Sequence, residues 1–174
     1  MTVRYREAGA DDARAIADVF KTSFVDTFGH LYPREDLEQF LGTMTPERFG
    51  AQIGDERFLF RLAFDADRLV GYIKLGPPEL PVDTPPDSIE LSQLYVLKDW
   101  HGAGIAASLM DWAVATARER GARHIQLSVY VDNHRARRFY ERYGYHQVGR
   151  YDFMVGSHAD EDIVLRHVVM QADE

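Results

Sequence analysis

Leu94-Tyr95-Val96-Leu97-Lys98-Asp99-Trp100-His101-Gly102-Ala103-Gly104-Ile105-Ala106-Ala107 carries a strand into a loop of small residues and out into a helix. The strand is predicted over Ile89 to Leu97, the helix over Gly104 to Glu119. Amide N–H groups at a helix start have no partner within the helix and carry partial positive charge, which suits a phosphate. Glycine and alanine allow a ligand close to the backbone, with little or no side chain in the way. A glycine-rich turn that packs a helix closely on a sheet would use the same residues. Read as a pattern, Gly102-x-Gly104-x-x-Ala107 also matches the dinucleotide fingerprint, with Asp132 closing the next strand. The 42 residues after Asp132, however, hold one short helix and an antiparallel strand pair. A doubly wound nucleotide fold needs more parallel strands than that.

Downstream of the loop, Ile105, Leu109, Trp112 and Thr116 share a helical face, and Gly121 ends the helix. Ile125, Leu127, Val129 and Val131 alternate as a strand. Asn133 starts a helix carrying Ala136, Phe139, Tyr140 and Tyr143, which Gly144 terminates. Strands follow at Tyr145 to Met154 and Asp162 to Met170. Upstream, Val3 to Glu7 reads as a strand, and Asp11 or Asp12 caps a helix with Ile16, Val19, Phe20, Ser23, Phe24 and Phe28 on one face. A shorter helix spans Arg34 to Leu41 and a third starts at Pro46. A hairpin then joins Arg57–Phe64 to Leu69–Leu75, and five prolines make Gly76 to Asp87 an extended loop. The order is mixed α/β with a central β-α-β unit and an antiparallel tail.

The chain has 174 residues, read as one domain over 1–174, and 20 Lys+Arg against 28 Asp+Glu give a net charge of -8. That balance argues against nucleic-acid binding as its main business. No apolar run approaches the roughly 20 residues of a membrane helix, and Met1 to Ala10 shows no signal-peptide pattern. Cysteine is absent, which suits a reducing cytoplasm and excludes a cysteine nucleophile. The seven histidines show no metal-ligand spacing, so no metal site is expected.

Two stretches together resemble the GNAT family of N-acetyltransferases. The family's acetyl-CoA signature, Gln/Arg-x-x-Gly-x-Gly/Ala after a strand, is similar to His101-Gly102-Ala103-Gly104-Ile105-Ala106, with His101 in place of Gln or Arg. Its later Asn-x-x-Ala-x-x-Phe-Tyr-Glu-x-x-Gly-Phe motif is similar to Asn133 through Tyr145. The resemblance implies a single acyl-CoA N-acyltransferase domain: a mixed twisted sheet of about six or seven strands, splayed in the middle, with helices on both faces. It implies acetyl-CoA as donor, an amine as acceptor, and a homodimer, a frequent state in the family. Leu91 to Leu97, Tyr151 to Gly156 with Asp160-Glu161-Asp162, Phe24-x-x-Thr27-Phe28 and Glu35-Asp36-Leu37 resemble the bacterial polyamine acetyltransferase branch.

The implied cofactor-binding residues are Leu94, Tyr95, Val96, Gly102, Ala103, Gly104, Ile105, Ala106, Ala107, Asn133 and Tyr140. The Val96 N–H is the family's partner for the thioester carbonyl. Tyr140 is the family's general acid, although its place on an apolar helical stripe also suits a core residue. Asn133 reads both as a cofactor contact and as a helix cap. Moving an acetyl group to an alkyl amine needs a proton acceptor, because an ammonium of pKa about 10.4 is almost wholly charged near neutrality. Glu90, on the strand entering the glycine loop, is the candidate; an exposed strand glutamate is the other reading, and a bulge would change its face. Arg135, Arg137, Arg138 and Arg142 either meet the cofactor's phosphates or form an exposed charged face. A cationic acceptor such as a polyamine would suit Asp26, Glu35, Asp36 and Glu90; the alternatives are another acceptor (a protein N-terminus, an amino acid or an antibiotic) or a non-catalytic acetyl-CoA-binding regulatory domain.

Overall fold

The computed structural model describes residues 2–170; Met1 and residues 171–174, which the sequence reading includes in the domain, lie outside the described residues. Seven strands form one sheet in the order β1-β2-β3-β4-β5-β7-β6. β1 (Val3–Glu7), β2 (Leu59–Asp65), β3 (Arg68–Gly76) and β4 (Ser88–Val96) pair antiparallel in sequence. β5 (His124–Tyr130) follows, and β6 (His146–Val155) and β7 (His158–Val168) form the closing hairpin. The parallel pairing of β4 with β5 lasts only from Ser88–Glu90 against His124–Gln126. Beyond Glu90 the strands part, and the sheet forks.

β3 is buried at every position from Leu69 to Gly76, so both faces of the sheet are covered there. Helix α1 (Ala13–Phe28) and α3 (Pro46–Ile53) pack on one face, where Phe20 meets Phe49 and Tyr95, and Phe49 meets Phe60 and Tyr72. α4 (Ile105–Glu119) lies along β2 to β5 and buries Ile105, Leu109, Met110, Ala113 and Ala117. α2 (Arg34–Gly42) leans on β6, and α5 (His134–Arg142) follows β5.

Three local readings change. Asp12 occupies the position before α1, but its carboxylate accepts from Arg6 and from the Gly9 N–H, so it caps the 3-10 turn Ala10–Asp12 and not α1. The ion pair satisfies it better than the helix end does. β4 carries a bulge: Gln93 pairs with Lys74 and Leu91 with Leu75, leaving Ser92 unmatched. Glu90 and Leu94 therefore do not alternate in step. Finally, β7 begins at His158, four residues before the expected start, because Gly156 takes a left-handed φ of 58° and closes a tight turn with Ser157.

Candidate active site

A cavity of about 500 Å³ opens where β4 and β5 diverge. Its walls come from both halves of the chain: the end of β4, the loop into α4, the start of α5, and the α1, β6 and β7 elements opposite.

Backbone groups shape the β4 wall. The Leu97 N–H donates to the Val70 carbonyl at 2.8 Å, toward β3. Strand alternation then turns the N–H and C=O of Val96 and Leu94 toward the fork, where no strand pairs with them. Leu94, Tyr95 and Val96 all line the cavity. Burial of the Tyr95 phenol raises its pKa well above the usual tyrosine value, so it keeps its proton.

The loop is a cradle. Gly102 and Gly104 both adopt φ of 79°, a conformation that L side chains avoid, and a Cβ on either would meet nothing within 4 Å. Gly104 precedes α4 without any side chain capping the first turn, so those amides face open space. Gly102, Gly104, Ile105, Ala106 and Ala107 line the cavity, while Ala103 does not. Such a cradle, at the positive end of a 15-residue helix, fits an anionic phosphate group.

Asn133 and Tyr140 come from the cap and body of α5. The Asn133 side chain accepts the Ala136 N–H at 3.3 Å and so caps α5, and it also lines the cavity. Tyr140 is 8% exposed, stacks edgewise on Phe139 and Tyr145, and still lines the cavity. Burial holds its phenol protonated well above the ordinary tyrosine range. The arginines of α5 divide: Arg135 and Arg142 reach the cavity, whereas Arg137 donates to the Val131 carbonyl and Arg138 is exposed.

Glu90 stands elsewhere. Buried to 6% exposure, its Oε1 accepts the N–H groups of Glu79 and Leu80 at 3.1 and 3.0 Å and the Gln126 amide at 3.4 Å. It does not line the cavity. The carboxylate anchors the proline-rich loop at the root of the fork instead. Asp26, Glu35 and Asp36 are likewise outside the cavity wall.

Two carboxylates that line the cavity went unassigned in the sequence reading of catalysis. Asp160 and Asp162 are two apart on β7 and share its inward face. Asp160 accepts the Tyr32 hydroxyl and lies 3.4 Å from His158 Nε2. Asp162, 6% exposed, pairs with no basic side chain among the described residues. Burial first, and the nearby Asp160 charge second, push its pKa up to about 7, although Ser128 moderates the shift. The signal was present: acids at i and i+2 before the apolar run Ile163-Val164-Leu165. Phe24, Phe28, Tyr32 and Phe153 wall this end of the cavity.

The chain belongs to the acetyltransferase (GNAT) family, whose sequence model matches residues 14–145, and it is an acetyltransferase in class. An uncharacterised N-acetyltransferase of Mycobacterium tuberculosis is 32% identical over 155 residues, covering 88% of this chain and 96% of that one. Another, from Lactobacillus delbrueckii subsp. lactis, is 24% identical over 171 residues, 97% of this chain and 98% of the relative. Among solved structures, the PaiA N-acetyltransferase of Thermoplasma acidophilum in complex with coenzyme A superposes with a TM-score of 0.78. It is 20% identical, with 97% of this chain and 99% of that one covered. The Escherichia coli ribosomal-protein-S18-alanine N-acetyltransferase gives a TM-score of 0.72 at 16% identity, covering 99% and 97%. These likenesses show the fold. Among the described residues no helix is long and apolar enough to cross a membrane.

Proposed function

We propose that this chain transfers an acetyl group from acetyl-CoA to a small primary amine that enters the cavity as a cation, of which a polyamine is one example. The observation that carries the acceptor reading is Asp162: a buried carboxylate with no cation of its own, in the same cavity as the glycine cradle and Tyr140. A buried unpaired charge is costly, and a ligand ammonium relieves that cost. The glycine cradle and the unpaired edge of β4 support the donor reading.

When bound, acetyl-CoA supplies the acetyl group as an activated thioester. The residues divide the remaining work. The loop amides at Gly102 to Ala107 hold phosphate, and the Val96 N–H at the fork orients a carbonyl oxygen and stabilises charge on it. Asp162 takes the proton that the ammonium must lose before nitrogen can attack. Tyr140, kept protonated by burial, delivers a proton to the departing sulfur; the same low-polarity surroundings raise a thiol's pKa too, which narrows the gap between them. With no cysteine in the chain an acetyl-cysteine intermediate is impossible, which favours direct transfer of the acetyl group to the amine.

Purified protein with acetyl-CoA should release free thiol when supplied with an amine from a panel of spermidine, spermine, 2-phenylethylamine and a peptide with a free N-terminus. Tyr140→Phe should lower kcat by about a hundredfold or more while coenzyme A binding, read by calorimetry, stays unchanged. Silence across the whole panel, or full turnover by Tyr140→Phe, refutes the reading.

A further inference from the structure

The position before the glycine cradle holds His101, and its ring is fixed from two sides. Nε2 lies 2.7 Å from the Val96 carbonyl oxygen, and Arg135 Nη1 lies 2.6 Å from Nδ1. An arginine never gives up its protons in a protein, so Arg135 is the donor and Nδ1 the acceptor. The ring hydrogen therefore sits on Nε2 and donates to Val96. One imidazole thus ties the free edge of β4 to the first turn of α5, across 34 positions of sequence.

Arg135 is oddly placed for a structural cation. It is the second residue of α5, where the helix dipole disfavours positive charge, and no acidic residue in that first turn offsets it. α4 also lacks an acid in its first turn. On a chain of net charge -8, two helix starts free of acids thus border one cavity, with Arg135 between them and Arg142 nearby. An anion bound there would meet fixed amides and a guanidinium together.

We propose that Arg135 is the cationic ligand for the phosphate groups of the donor, and that His101 is its positioning residue, holding the guanidinium beside the Gly102–Gly104 cradle. His101 thereby acts through a partner from the next helix, with its own ring bound to the main chain. The inference rests on acetyl-CoA being the donor.

Calorimetry of the full-length protein with coenzyme A, at low and high salt, tests it. Arg135→Ala should weaken binding by about tenfold and flatten its salt dependence, as loss of one charge-assisted contact requires. His101→Ala should weaken binding in the same sense, and the double variant should bind no worse than Arg135→Ala alone. His101→Gln should restore affinity, because an amide donates to Val96 and accepts from Arg135 as the imidazole does. The Tm of the Arg135→Ala protein without coenzyme A should match the wild-type value, separating a binding role from a general loss of structure. Wild-type affinity and salt dependence in Arg135→Ala overturn this proposal and leave the functional reading standing. Absence of coenzyme A binding by the wild-type protein overturns both.

Discussion

Asp162 lies inside the fold with its charge facing no cation, so its protonation is coupled to stability and to turnover alike. An ordinary aspartate titrates near 3.9, and burial beside Asp160 raises this one to about 7. Below about pH 4 both the folded and unfolded chains hold the proton, and the residue has no effect on stability. Between the two values the folded state alone holds it, and destabilisation grows until it is complete above about pH 7. Asp162→Asn should therefore raise Tm, and by more at pH 8 than at pH 5. The same substitution should cut kcat/KM for the amine by about a hundredfold or more and remove a limb of the pH–rate profile that rises through about pH 7. A Tm gain that is equal at both pH values would contradict the titration, and a wild-type rate would contradict the proton role. Opposite signs in stability and activity at one residue are what a binding-site charge produces.

The β6–β7 hairpin carries Asp160 and Asp162, so its seating against α2 sets where they stand. Asp36 on α2 accepts from the Ser157 N–H at 3.2 Å, and the ideal Cβ position at Gly156 is 2.8 Å from Asp36 Cβ and Cγ. Only glycine suits this turn, because its φ is positive and Asp36 crowds it. Gly156→Ala should lower Tm and raise KM for the amine while leaving coenzyme A affinity untouched; an unchanged KM would show that α2 does not govern the acceptor wall. Helical elements were legible in the sequence because apolar spacing and glycine or proline boundaries agreed, as for α4 and α5. The start of β7 was not, because Asp160-Glu161-Asp162 is poor strand material. Glu161 faces out to Arg150 while its two neighbours face the cavity, an arrangement fixed by pairing with β6. The bulge at Ser92 depends in the same way on the register with β3 and leaves no mark in β4 alone.

At the scale of the molecule, the site exists because one sheet divides, and Glu90 stands at the division. The cofactor half was legible as motifs: Gly102, Gly104, Asn133 and Tyr140 sit in contiguous stretches that build one wall each. The acceptor half draws on α1, β6 and β7, far apart in sequence, and only tertiary packing brings them together. That is why strand position alone pointed to Glu90 as the proton acceptor, whereas the folded chain turns it to the main-chain amides of Glu79 and Leu80 beside the last β4–β5 pair. The two roles give opposite expectations. A loop anchor needs only an oxygen acceptor, which glutamine keeps, so Glu90→Gln should retain the wild-type pH–rate profile and most of its rate. A proton acceptor needs the charge, and its loss would cost about a hundredfold or more. Glu90→Ala removes the acceptor altogether and leaves two amides without a partner, at a cost of roughly 2 kcal/mol, read as a lower Tm. If Glu90→Gln behaves like Asp162→Asn in the rate profile, the proton passes through the root of the fork; if it behaves like wild type while Glu90→Ala melts early, Glu90 holds the fork and Asp162 works inside it.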